Sequence, residues 1–179
     1  LVSITKAYSA TDPKARVAPT IIDRRPVGPN DIQINIEHCG VCHTDIHFAN
    51  NDWGMTNYPV VPGHEIVGRV TEVGSAVKNF QYGDRAAIGC LVDSCGFCGN
   101  CEKGLEQYCL NGFTATYNSE TSDPGGFTYG GYSTSVVAKE SFVLHNPDSL
   151  TGPGIAPLLC AGITTYSPLR KWNIGKGQK

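Results

Sequence analysis

The chain has 179 residues, enough for one well-packed domain, and a formal net charge of −2 that offers no electrostatic footprint for nucleic acid. Charged residues make up 17% of it with no run of like charge longer than a pair, which excludes an acidic or basic tail and a polybasic membrane patch. The 40% of apolar residues form no stretch near the ~20 that a membrane span needs, while 21 glycines and 11 prolines point to tight turns rather than long helices.

The opening stretch, "LVSITKAYSATDPKARVAP", starts at Leu1 and has no apolar core or small-residue cleavage site. The expected compartment is therefore the cytoplasm, where clustered cysteines more often serve metal binding or catalysis than disulfides. Residues 20–37, "TIIDRRPVGPNDIQINIE", combine a Pro/Gly/Asn loop signal with an alternating run. Ile32, Ile34 and Ile36 face one way and Gln33, Asn35 and Glu37 the other, which is the period of a half-buried strand. "IVGRVTEV" (66–73) reads as a strand whose glycine marks a bulge or a close backbone approach. "DRAAIGC" (84–90) and "GYSTSVVAKESFVL" (131–144) read as further strands. Turn signals at Tyr82-Gly83-Asp84, Pro124-Gly125-Gly126 and Gly130-Gly131 punctuate them. Short strands at this spacing predict a mainly β sandwich or partly open barrel. Beyond residue 150 the texture changes, with short helical turns predicted around 154–160 and 162–171 before a polar, Gly-rich end.

Eight cysteines punctuate this frame, and four of them fall in "CGFCGNCEKGLEQYC". Cys95, Cys98, Cys101 and Cys109 are spaced C-x2-C-x2-C-x7-C, with glycines that let the backbone wrap. Cysteines at every third position do not readily pair among themselves. Four converging thiolates make a closed structural zinc site, ahead of a disulfide cluster or an iron–sulfur site. A second constellation is spread along the chain: Cys42 in "CHTDIH", His64 and Glu65 in "GHEIVG", and a distant Cys160 in "LLCAGITTYSP". Two thiolates and an imidazole are a three-ligand zinc set that leaves a fourth position open. Cys39 and Cys42 form a C-x-x-C, but no βαβ context surrounds it. Cys39 and Cys90 are read as small core hydrophobes, and His38 and His145 as surface or satisfied core residues.

"GHE-x2-G-x5-G-x2-V", from Gly63 through Gly68 and Gly74 to Val77, resembles the zinc signature of medium-chain alcohol dehydrogenases. "CGVCHTD", "VDSC…YC" and "LLCAGITTYSPLR" are similar to the cinnamyl-alcohol dehydrogenase branch, which includes bacterial aldehyde reductases. The resemblance runs in register from about residue 6 to the end. It implies a GroES-like catalytic domain over 1–150, with the structural-zinc lobe at 90–112. Residues 151–179 would then lead toward a nucleotide-binding domain. It also implies two zinc ions, NADP(H) rather than NAD(H), an alcohol or aldehyde substrate, and a homodimer at full length. Cys42, His64 and Cys160 correspond to catalytic zinc ligands. Asp45 corresponds to the acid that holds the His64 ring, and Glu65 to a residue beside the metal. Thr44 corresponds to the hydroxyl that takes the substrate's proton and His47 to the end of that relay, although His47 also reads as a merely solvated side chain. His43 corresponds to a residue near the cofactor pyrophosphate, Thr164 to one bordering the nicotinamide, and Trp53 to a wall of the substrate pocket. No G-x-G-x-x-G follows a strand, so the expectation is an N-terminal portion of the enzyme. The alternative is a non-catalytic zinc-binding GroES-like module.

Overall fold

The computed structural model describes residues 2–178. The outermost positions of the two expected domain spans, 1 and 179, lie outside the described residues. In chain order the strands are β1 (Ser3–Ser9), β2 (Ala18–Arg24), β3 (Asp31–Cys39), β4 (Ile66–Val73), β5 (Arg85–Ile88), β6 (Leu91–Asp93), β7 (Thr114–Ala115), β8 (Ser135–Lys139) and β9 (Leu144–His145). Two α-helices accompany them, α1 (His43–Asn50) and α2 (Ala161–Lys171). The central sheet runs β8-β3-β4-β5-β9, with the hairpin β1-β2 and the short ladder β6-β7 beside it. Every ladder described is antiparallel, as in a mainly β, partly open barrel rather than a parallel dinucleotide-type sheet.

The alternation in β3 buries Ile32 and Ile34 completely and leaves Asn35 and Glu37 outside. Those isoleucines meet Ile66, Val70, Ala86, Ile88 and Val136 in one core, with Ile36 and Cys39 packed at its margin. Gly68 serves both purposes that its place in a strand suggests. A Cβ there would stand 2.1 Å from the Asn35 carbonyl oxygen. The register between β3 and β4 also shifts between Ile36 and His38, so a bulge bends the sheet beside the glycine.

Three local readings need correction. Residues 131–144 are not one continuous run of strand: β8 ends at Lys139, a 3-10 turn covers Glu140–Phe142, and β9 follows. The reason is a cap: the Glu140 carboxylate accepts the amides of Lys78 and Asn79, which draws the chain out of the ladder. The hairpin β1-β2 has no counterpart in the sequence reading, because its exposed positions Ile4, Tyr8 and Ile21 are apolar and blur the alternation. Cys90 is not a core hydrophobe but lines a cavity with His64 and Cys160. His38 and His145 are exposed, and the His145 ring stacks on Phe80 at 4.0 Å.

Near the C-terminal end, a 3-10 segment (Pro153–Leu159) lays Ile155 and Ala156 against Val67 of β4. That contact fixes the position of Cys160, which begins α2. No helix among the described residues is long and apolar enough to cross a membrane.

Candidate metal centre and its cavity

The four clustered cysteines converge in a lobe outside the barrel. Cys98 Sγ lies 3.5 Å from Cys101 Sγ and 4.0 Å from Cys109 Sγ, and Cys95 Sγ lies 3.9 Å from Cys101 Sγ. Sulfurs held at about 2.3 Å around a tetrahedral centre stand about 3.8 Å apart, whereas a disulfide needs about 2.05 Å. The lobe is made of turns: Glu102 N–H donates to Cys98 O, Gly104 N–H to Cys101 O, and Cys109 N–H to Glu106 O. Backbone amides of Cys101 and Leu110 lower the Cys98 thiol to about 6, toward the thiolate that a cation requires.

The second cluster draws on three separate parts of the chain. Cys42 caps α1, His64 and Glu65 precede β4, and Cys160 opens α2. Ligand atoms of Cys42, His64, Glu65 and Cys160 all lie within 4.8 Å of one another. Cys42 Sγ stands 3.8 Å from Cys160 Sγ, again the spacing of two sulfurs on one tetrahedral centre. His64 and Glu65 are 5% and 3% exposed, yet His64 Nε2 and Glu65 Oε2 have no hydrogen-bond partner. Burial lowers the His64 pKa, against the pull of Asp45, and keeps the imidazole neutral with a lone pair to give. Burial raises Glu65, and burial with the neighbouring thiols Cys90 and Cys42 raises Cys160. These anions are disfavoured until a cation joins them, so the donor set fits a thiophilic divalent metal.

Backbone geometry builds this convergence. Gly63 has φ +103°, and a Cβ there would come within 2.8 Å of Cys39 Sγ and of the Tyr132 backbone nitrogen. Only glycine allows the chain to turn His64 inward at that point. Asp45 ties the two loop segments of the site together. Its carboxylate accepts the amides of Cys42 and Gly63, both at 2.9 Å, and the Tyr132 hydroxyl at 3.1 Å. His64 Nδ1 lies 3.9 Å from Asp45 Oδ1, beyond hydrogen-bond length, so Asp45 acts here on the backbone around the ring.

A model described as "Alcohol dehydrogenase GroES-like domain" matches residues 28–148. The chain belongs to this family. It is 54% identical to NADP-dependent alcohol dehydrogenase C 1 of Mycolicibacterium smegmatis over 178 residues, covering 99% of this chain and 51% of that protein. It is 53% identical to the aldehyde reductase YahK of Escherichia coli, covering 97% of this chain and 49% of that protein. A solved cinnamyl alcohol dehydrogenase from Sorghum bicolor superposes with a TM-score of 0.93 at 40% identity, over 99% of this chain and 50% of that one. The chain thus spans about half the length of the curated relatives it matches.

In this GroES-like chain the candidate metal-binding cluster borders, through His64 and Cys160, a cavity of about 370 Å³. Thr44, Phe48, Met55, Leu91 and Phe113 line it together with His64, Cys90 and Cys160. Thr44 and His47 are three residues apart on α1 and share a face. Trp53 does not line the cavity: it packs edge-on against Phe48 at 5.2 Å, and Phe48 is the wall. His43 and Thr164 are exposed on α1 and α2. Three side chains escape sequence reasoning. Asp52 accepts from or pairs with His47 Nδ1 at 2.8 Å, Cys90 borders Cys160, and Tyr117 stacks on His64. Asp52 alone leaves a sequence signal, five residues past His47 at the end of a helix.

Proposed function

We propose that the chain is the catalytic, zinc-binding part of an NADP-linked alcohol dehydrogenase or aldehyde reductase that interconverts primary alcohols and aldehydes. One observation carries this reading: two sulfurs, an orphaned imidazole nitrogen and a carboxylate converge, and two of these donors, His64 and Cys160, line an apolar cavity. Cys42, His64 and Cys160 would hold a catalytic zinc, with Glu65 beside it, and Cys95, Cys98, Cys101 and Cys109 would hold a structural one. When bound, the catalytic ion supplies Lewis-acid polarisation of an alcohol or carbonyl oxygen.

The chain's own residues supply the rest. The apolar walls Phe48, Leu91 and Phe113 exclude water and accept a hydrocarbon substituent. Thr44 Oγ1, at the cavity edge, takes the hydroxyl proton, and His47 passes it to solvent with Asp52 orienting the ring. His43 and Thr164 would face a nicotinamide dinucleotide, NADP(H) in preference to NAD(H), and Trp53 would support the pocket through Phe48. We place the catalytic domain at 1–150, with its zinc lobe at 90–112, and a crossover segment at 151–179. The chain would act with a dinucleotide-binding domain, as a cytoplasmic homodimer. The NADP-dependent relatives support the cofactor part of this reading.

Metal analysis tests the reading directly. Wild-type chain should bind two zinc ions, and His64→Ala one, with the cysteine lobe still loaded. Two ions retained by His64→Ala, or turnover by an enzyme lacking the His64 site, would refute it.

A further inference from the structure

Tyr117 follows β7 and is only 3% exposed. Its ring lies parallel to the His64 imidazole, 3° apart in plane with centroids at 5.7 Å. The Phe48 ring of α1 meets it edge-on at 5.2 Å. Tyr117 therefore touches both the imidazole and the helix that Cys42 caps. Its neighbours in the chain are anchored on both sides. Thr116 donates from its amide to Cys90 O and from its hydroxyl to Gly89 O, while the Asn118 side chain accepts from Asn57 N–H and donates to Met55 O. The ring is thus held by backbone that has little freedom to yield. The Tyr117 hydroxyl makes no hydrogen bond of ordinary geometry, although it lies near the Asp45 carboxylate, so the stacked ring is its contact with His64.

The imidazole has few other restraints. Its Nε2 is unpartnered, and Nδ1 is 3.9 Å from the nearest carboxylate oxygen. A metal-ligating histidine is ordinarily oriented by a hydrogen bond from its second nitrogen. Here no such bond forms, and a parallel aromatic face stands beside the ring in its place.

We propose that Tyr117 is a positioning residue that holds the His64 ring in its orientation toward Cys42 and Cys160 by stacking. This rests on the reading of Cys42, His64 and Cys160 as a metal site. Loss of the aromatic face lets the imidazole swing about its side-chain torsions and loosens its grip on the metal.

The test is release of the exchangeable metal from the protein with both sites loaded, followed with a chromogenic chelator, together with the electronic spectrum of the cobalt(II)-substituted site. Tyr117→Leu should release that metal about tenfold faster or more, in the range seen for residues that orient metal ligands. Its cobalt spectrum should change, while the cysteine lobe stays loaded. Tyr117→Phe, which keeps the ring, should release at the wild-type rate. Should Tyr117→Leu fail to fold, Tyr117→Met fills the space flexibly and carries the same expectation. Wild-type release and spectrum in the folded non-aromatic variant would overturn the inference, as would a Tyr117→Phe that releases as fast as it does. A wild type that binds only one metal overturns the site reading and this inference together; two metals released alike from wild type and variant overturn the role of Tyr117 alone.

Discussion

Single atoms decide the behaviour of the α1 face. Thr44 offers a hydroxyl at the cavity edge, and His47 offers an imidazole that is paired to Asp52 and still open to solvent. If these carry the alcohol proton, Thr44→Ala should lower alcohol oxidation about 100-fold or more, and Thr44→Ser much less, because serine keeps the hydroxyl. Steady-state rates of the two variants decide it, and equal losses would count against a proton-transfer role. His47→Gln and Asp52→Asn should each shift the pH dependence of oxidation, since one removes the imidazole and the other its hydrogen-bond partner. Superimposable pH profiles for wild type and both variants would remove His47 from the path.

Secondary elements show where local geometry carries the site. Gly63→Ala forces a side chain into left-handed backbone and against the Tyr132 amide nitrogen. A loss of about 2 kcal/mol or more is expected in chemical denaturation, with weaker binding of the exchangeable metal. The cysteine lobe is a set of turns with Phe97, Tyr108 and Leu110 exposed, so a metal held by its four thiols would take the place of a hydrophobic core there. Cys101→Ser should release about one metal per chain and open the lobe to protease, while β3 and β4 remain protected. The Glu140 cap gives a pH signature. The amides of Asn79 and Lys78 hold its carboxyl below the usual carboxylate range. A depressed folded pKa means stability present above the unfolded value of about 4.5 and lost as pH falls through the folded value. Glu140→Gln should thus lower stability at pH 7, by about 1 kcal/mol at most for so exposed a group, and match wild type in strong acid. A constant difference across that range would show that the effect is not ionic.

Over the whole molecule, stability is unevenly distributed. The barrel has a fully buried centre of Ile32, Ile34, Ile66 and Ile88, whereas α2 has no buried residue. Leu158, Ile163, Tyr166, Leu169 and Trp172 are all exposed around that helix. In the 179-residue chain, amides of α2 should therefore exchange with solvent orders of magnitude faster than those of β3 and β4. Hydrogen exchange by mass spectrometry measures this, and equal protection would mean that α2 is covered. A separate polar cleft lies between β2 and β8, but its charges are already matched: Arg25 pairs with Asp31 and Asp123, and Lys139 with Asp93.

What the sequence determined by itself was chemistry and period. The C-x2-C-x2-C-x7-C spacing confines four sulfurs to a few turns of chain, so their convergence is local and legible. The alternation at 32–36 and the β-rich run at 66–73 specify strands whose inward faces make the core, because period 2 leaves one face to bury. Tertiary structure alone decided the rest. Cys42 and Cys160 lie 118 positions apart in sequence, and nothing in their immediate spacing brings their sulfurs to 3.8 Å. The packing of Ile155 and Ala156 on Val67 does that. Cys90 reads as a small core residue until the fold places it beside Cys160, and nothing in the sequence marks Tyr117, whose ring the fold lays along His64. Such contacts carry no periodicity and no motif, since they are set by which surfaces meet when the sheet closes.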